Sequence, residues 1–219
     1  MELDEQSDHA GAEAVGGVVL AGGKSSRMDG TDKALMRLTG QPLLAHVIAR
    51  LAPQVSDLIV SANGDLSRFA SFALPRVVDS FGEYPGPLAG LLAGLEWYAE
   101  HRPEIRTVVA VPVDTPFLPP DLVARLLATK MSALRPSIAR SEGGMHPVID
   151  LWPVAIAPDL RDALSRGVRK VGAWAEQLSA IEVPFPQAEI CGKVVDPFFN
   201  INQPKDLARA EKLRRTRTS

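Results

Sequence analysis

An α/β fold with a mostly parallel sheet is what this sequence predicts, on two observations. Short β-branched runs alternate with longer helical patterns, and the runs are nearly continuous in apolar residues, as in strands covered on both faces. With 219 residues, 46% of them hydrophobic, the chain can bury such a core as one large domain or two small ones.

The predicted strands are GVVL at 17–20, DLIVSA at 57–62, RVVD at 76–79, TVVAVPVD at 107–114 and PSIAR at 136–140. Between them, PLLAHVIARLAPQ places Leu43, Val47 and Leu51 at i, i+4 and i+8, an amphipathic helix with Pro42 near its start. PLAGLLAGLEWYAEH (87–101) and PPDLVARLLATK (119–130) repeat that pattern, each with proline where no backbone donor is required. The alternation implies right-handed crossovers between parallel strands. Further on, HPVIDLWP (146–153) and IEVPF (181–185) read as strands. APDLRDALSRG (157–167) reads as a helix ending at Gly167, VGAWAEQLSA (171–180) as another, and QPKDLARAEKLRR (203–215) as a closing helix. There is no repeat, heptad seam or low-complexity block. The simplest division is one domain over 16–213, between a mobile extension at 1–15 and a basic tail at 214–219.

Charge and composition exclude several function classes. The net charge of -2 gives no global basic field, so no nucleic-acid partner is expected. No apolar stretch approaches the ~20 residues that cross a bilayer, and the acidic opening segment lacks the basic and apolar regions of a secretory signal. The lone Cys191 cannot form an internal disulfide, which fits a reducing compartment. A cytoplasmic protein with no membrane partner is expected.

The chemistry concentrates in GVVLAGGKSSRMDGTDKAL, from Gly17 to Leu35. A strand running into a glycine-rich turn presents backbone N–H groups that can form an anion-binding concavity. Gly22 and Gly23 allow close backbone approach and positive φ. Lys24, Arg27 and Lys33 supply charge to oxygens the backbone reaches only partly. A glycine turn with solvated cations is the competing reading. The stretch is not a P-loop, since GxxxxGK[ST] would need glycine where Val18 stands, and GxGxxG is absent. The residues between Leu20 and Lys33 are enough to wrap a triphosphate and bring Lys33 back to it.

LAGGKSSRMDGTDKAL resembles the signature LAGGxSxRMGxDKxL of the molybdenum cofactor guanylyltransferase family, a group of nucleotidyltransferases. Other landmarks occur in family order: VDS at 78–80, YPGPLAGLLAGL at 84–95, PVDTPFLPPDL at 112–122, HPV at 146–148 and FNINQPKDLA at 199–208. The resemblance implies a Rossmann-like three-layer nucleotidyltransferase fold with a mostly parallel, mixed sheet. Its nucleotide-binding part would span about 16–130 and its acceptor-binding part about 131–213. The implied reaction transfers GMP from Mg-GTP (Mn²⁺ being an alternative metal) to the phosphate of molybdopterin or molybdenum cofactor, releasing pyrophosphate. Transient protein partners that deliver the labile pterin are implied as well.

Asp114 follows a buried apolar run, so its carboxylate is expected at a strand end, as a ligand for Mg²⁺ and a catalytic group. A turn aspartate before Thr115 is the alternative. Lys33 and Arg27 are expected as the catalytic cations, Lys33 neutralising phosphate charge and Arg27 clamping the triphosphate, the alternatives being a surface lysine and an arginine that closes the loop against a carboxylate. The resemblance carries nucleotide contacts to Leu20, Ala21, Gly22, Gly23 and Asp79. Gly90 is the small residue left open for ligand approach, whereas Gly94 reads as helix packing. His146, Asn200 and Asn202 fall where the acceptor pterin is expected; the alternatives are an extended connector at His146 and a cap on the last helix from Asn200 or Asn202. Two departures from the family spelling stand out: Asp29 is inserted in RMDG, and Ser61 stands where asparagine is usual, with Asn63 two residues later. Strand alternation would put 61 and 63 on one side. LAGG, where CTP-using relatives read LAAG, leaves room for a purine. The alternatives are a cytidylyl- or sugar-phosphate nucleotidyltransferase and, outside enzymes, a nucleotide sensor or cofactor carrier.

Overall fold

In a computed structural model of the chain, residues 13–22, 32–78, 81, 86–129 and 135–214 are described. The elements in chain order are β1 (Val15–Leu20), β2 (Arg37–Leu38), β3 (Gln41–Pro42), α1 (Leu43–Leu51), β4 (Asp57–Ser61) and β5 (Arg76–Val77). They continue with α2 (Pro87–His101), β6 (Thr107–Pro112), α3 (Leu122–Ala128), β7 (Ser137–Ser141) and β8 (Gly144–Pro153). The chain closes with α4 (Ala157–Ser165), α5 (Val171–Gln177), β9 (Ile181–Pro184), β10 (Ala188–Ile190), β11 (Lys193–Val195) and α6 (Pro204–Arg214).

One seven-stranded sheet, in the order β5-β4-β1-β6-β8-β7-β9, runs through both the predicted nucleotide and acceptor parts. β5, β4, β1 and β6 are parallel, β8 is antiparallel to β6 and β7, and β9 returns parallel to β7. All six residues of β1 are buried because both faces are covered. Val19 and Val109 join one cluster with Val47, Leu51 and Leu126 of α1 and α3. Val18 and Val108 join the other with Leu91, Leu95, Leu160 and Trp174 of α2, α4 and α5. The result is helix, sheet, helix. A smaller cluster seats α6 through Ala210 and Leu213 on Leu38 and Leu43.

Close approach of α2 to β1 needs small residues. A Cβ on Gly94 would lie 2.6 Å from Val18, and one on Gly16 would enter the Tyr98 ring. The Tyr98 hydroxyl accepts from Gly17 N–H at 3.0 Å and lies 2.9 Å from Gly17 O. Burial pushes the phenol's pKa upward, so it stays a donor.

Several boundaries differ from expectation. Val15 is already buried in β1 and Glu13 Oε1 accepts from Thr107 Oγ1 at 2.6 Å, so the folded chain begins before residue 16. α5 stops at Gln177, because Ser179 takes a left-handed φ of 53° and Ala180 N–H bonds back to Ala175 O. The β2–β3 and β10–β11 hairpins had no periodic signal in their strands of two or three residues.

Asp150 lies in β8 at 1% exposure, where the pairing register with β7 shifts, and neither carboxyl oxygen has a hydrogen-bond partner among the described residues. Burial raises its pKa well above the usual carboxylate range, and the nearby Trp152 indole opposes this only in part. Below about pH 4 the carboxyl is protonated in folded and unfolded chains alike; above that, only the unfolded chain releases its proton. Asp150 therefore withdraws stability as pH rises from the unfolded value towards the folded one. Urea unfolding should show Asp150→Asn gaining stability on wild type as the pH rises from 4 to 7. An identical difference at both pH values would contradict this. Tyr98→Phe should cost about 1–3 kcal/mol in the same measurement, because Gly17 N–H loses its acceptor inside the core.

Candidate active site

The site forms where the strand order reverses. From β1 the chain goes outward to β4 and β5, and α2 then returns it to β6 on the other side of β1. Leu20 pairs with Pro112 at the C-terminal ends of β1 and β6. Open α/β sheets leave a ligand crevice at such a point. A cavity of about 440 Å³ opens here, lined by Leu20, Ala21 and Gly22, by Lys33 and Asp114, and by His146 and its neighbours in β8.

Lys33 reaches this crevice because its backbone is clamped. It opens a 3-10 turn over Lys33–Leu35, and Asp32 caps that turn by accepting Ala34 N–H at 2.9 Å. The other Asp32 oxygen accepts from Arg68 Nε. Arg68 also donates to the carbonyls of Asn63 and Asp65 and stands 4.3 Å over the Phe69 ring. The clamp joins the end of the glycine loop to the β4–β5 connection. Nothing in the spacing of Arg68 marks it beforehand.

From there Lys33 Nζ donates to Asp114 Oδ2 at 2.6 Å and to Asn202 Oδ1 at 2.7 Å. Three of the predicted residues, distant in the chain, therefore share one ammonium group. The side chains of Lys33 and Asp114 are 25% and 12% exposed, so the pair is less screened than a surface ion pair.

The turn after β6 does not use the Asp114 carboxylate. Thr115 Oγ1 closes it by donating to Pro112 O at 2.9 Å. Asp114 Oδ1 is buried and has no hydrogen-bond partner among the described residues. Likewise, Asp206 Oδ2, not an asparagine, accepts the N–H groups of Asn202 and Gln203 at the start of α6. Ile201 N–H donates to Asp114 O at 2.9 Å, tying the asparagine segment to the end of β6, and Asn200 lines the cavity.

A hard divalent cation such as Mg²⁺ or Mn²⁺ prefers oxygen ligands, and the orphaned Asp114 oxygen fits that demand. Among the described residues no group of three or more His, Cys, Asp or Glu side chains could hold a metal. A cation here would complete its shell from phosphate oxygens and water.

On the base side of the crevice, part of the backbone is already engaged. Leu20 O accepts from Val113 N–H and Ala21 N–H donates to Ser61 O, so both are committed to the fold. The Ala21 carbonyl and the Gly22 peptide groups have no such bonds among the described residues. Gly22 does not take positive φ, and a Cβ there would make only ordinary contacts, with Asn63 Nδ2 at 3.8 Å and Ala62 Cα at 3.9 Å. Nothing in the described protein requires glycine at 22. Gly90, expected to be open to the ligand, is instead closely packed: a Cβ on it would lie 2.9 Å from Ser61 Oγ and 3.1 Å from Leu20 Cδ2. It is a packing glycine beneath the crevice and does not line it. The same contacts part Ser61 from Asn63, since β4 ends at Ser61, which turns under α2 while Asn63 faces Gly22. Gly23, Arg27 and Asp79 lie outside the described residues.

His146 is half-buried on the β8 wall. Its Nε2 is 2.7 Å from Ser141 Oγ, and its ring packs on Phe198 at a centroid distance of 4.7 Å. Burial lowers its pKa, with Asp196 opposing.

Residues 17–180 match the model of the MobA-like NTP transferase domain. A molybdenum cofactor guanylyltransferase of Bradyrhizobium sp. (strain ORS 278) is 48% identical over 91% of this chain and 93% of its own length. One from Rhodopseudomonas palustris (strain BisB5) is 46% identical over 94% of this chain and 96% of its own. Among solved structures, the molybdopterin-guanine dinucleotide biosynthesis protein A of Archaeoglobus fulgidus superposes with a TM-score of 0.69 at 23% identity, covering 90% of this chain and 97% of that one, a likeness of fold. The chain belongs to the molybdenum cofactor guanylyltransferase family of MobA-like nucleotidyltransferases.

Proposed function

We propose that this chain transfers GMP from GTP to the terminal phosphate of molybdopterin or molybdenum cofactor, forming the guanine dinucleotide form and releasing pyrophosphate. The convergence of Lys33, Asp114 and Asn202 beside the Leu20–Gly22 backbone carries this reading. An oxygen of the acceptor phosphate attacks the α-phosphorus of GTP. The bond from that phosphorus to the bridging oxygen breaks, and its electron pair leaves with pyrophosphate. No protein nucleophile is required, because the acceptor is already an anion. The difficulty is to bring two polyanions together and to hold charge on the leaving group.

Lys33 meets part of that demand. An ammonium has three donors; Asp114 and Asn202 take two, no described residue takes the third, and we assign that one to a phosphate oxygen. Asp114 orients the ammonium through Oδ2, and its Oδ1 would hold the divalent cation, which when bound neutralises triphosphate charge. Gly22 leaves space for the purine, with its peptide groups and the Ala21 carbonyl as base-edge partners. Arg27, Gly23 and Asp79 keep their expected roles as triphosphate and nucleotide contacts. Asn200 and His146 line the wall on which the acceptor would lie. Transient delivery of the pterin by a protein partner and a cytoplasmic setting complete the reading.

Pyrophosphate release measured with each of the four nucleoside triphosphates and molybdopterin should be selective for GTP. Selective use of CTP would overturn the proposal, and binding without turnover would favour a sensor or carrier. Asp114→Ala should lower metal-dependent transfer by about 10²–10³-fold while thermal unfolding remains cooperative. Wild-type turnover in that variant would remove Asp114 from the mechanism. Arg68→Ala, which contacts no substrate in this account, should lower kcat by about 10- to 100-fold by releasing Asp32 and the Lys33 turn. An unchanged kcat would show that the clamp is dispensable.

A further inference from the structure

Behind His146 lies a chain of polar groups that the reaction as described does not use. Ser141 ends β7, and its Oγ is 2.6 Å from Asp196 Oδ2 and 2.7 Å from His146 Nε2, while Gly143 N–H donates to it at 3.1 Å. A Cβ on Gly143 would come within 2.8 Å of Asp196 Oδ2, so glycine is what lets the carboxylate in. The other carboxylate oxygen, Oδ1, accepts Phe198 N–H at 2.8 Å, which fixes the rotation of the group.

Proton counting settles the direction of these bonds. A serine hydroxyl has one proton and two lone pairs, and a carboxylate only accepts. The Ser141 proton therefore goes to Asp196, and its lone pairs receive Gly143 N–H and His146. The histidine must donate, so its ring proton sits on Nε2. No described residue bonds Nδ1, and the ring forms part of the crevice wall.

The geometry points to Asp196 and Ser141 as positioning residues: they hold His146 in the Nε2–H tautomer and leave its unprotonated Nδ1 to accept a hydrogen bond from an N–H or O–H group of the acceptor substrate. This rests on the reading that the acceptor lies along the β8 wall. Burial lowers the ring's pKa, in keeping with a neutral acceptor near pH 7. The device specifies what the site takes. A group that can only accept hydrogen bonds would face a lone pair, and a donor would be matched.

Asp196→Asn tests the direction of the chain with a nearly isosteric change. Phe198 N–H keeps the amide oxygen at the Oδ1 position, so the amide nitrogen replaces Oδ2 and donates to Ser141. Ser141 must then turn its proton to His146 Nε2, and the ring switches to Nδ1–H. Ring ¹⁵N chemical shifts of the full-length labelled chain read this directly; of its four histidines, His146 is assigned by the signal lost in His146→Gln. The expected results are Nε2–H in wild type, Nδ1–H in Asp196→Asn and a tautomer mixture in Ser141→Ala. In both variants the KM for molybdopterin should rise about tenfold with the KM for GTP unchanged. A wild-type Nδ1–H ring, a tautomer indifferent to Asp196→Asn, or a switched tautomer with unchanged KM for molybdopterin would each overturn the inference. The nitrogen shifts do not depend on turnover. A wild-type chain that fails to transfer GMP would thus sink the reaction assignment separately from the tautomer.

Discussion

Parallel pairing of β1 with β6, which sets Leu20 opposite Pro112, is the constraint on which the site depends. Two segments leave the sheet side by side at that point, and residues 21–22 and 113–114 become neighbours on one lip of a crevice. The pairing itself follows from burial on both faces: every residue of β1 is covered, so alternate side chains feed opposite cores and a one-residue slip would exchange them. Gly94 and the inserted Tyr98 then bring α2 close over β1. The sheet thus supplies rigidity where the reaction needs fixed geometry.

Lys33 gathers three parts of the chain onto that lip. It reaches Asp114, 81 residues away, and Asn202, 169 residues away, and it is held from behind by Asp32 and Arg68. A Walker-type loop concentrates phosphate binding in one contiguous turn. Here Lys33, Asp114 and Asn202 come together from separate elements, and β8 forms a wall of the crevice they share. Partial burial keeps these charges from being screened as they would be on the surface. The same wall carries His146, whose orientation is set by groups on β7 and on the segment after β11.

Much of this was legible in the sequence, for physical reasons. Strands buried on both faces are apolar throughout, so β1, β4 and β6 announced themselves, and Asp114 was placed at a strand end by the run before it. The asparagines were harder, because a residue ahead of a helix can cap it; only the structure assigns that work to Asp206 and frees Asn202 for Lys33. Gly90 misled because helical spacing does not say how near the sheet a glycine lies. Ser61 and Asn63 were expected on one side, but alternation ends with β4. Arg68, Ser141 and Asp196 act through contacts spanning 36, 5 and 55 residues, respectively, and belong to no motif. Such supporting residues are set by three-dimensional packing, which periodicity cannot report.

The measurement that bears most directly on the central claim is anomalous diffraction from crystals grown with Mn²⁺ and a non-hydrolysable GTP analogue. The account predicts a manganese peak at the Asp114 carboxylate, with the triphosphate beside Lys33 and the guanine over Gly22. A nucleotide bound elsewhere, or a manganese peak with no oxygen of Asp114 in its shell, would contradict it.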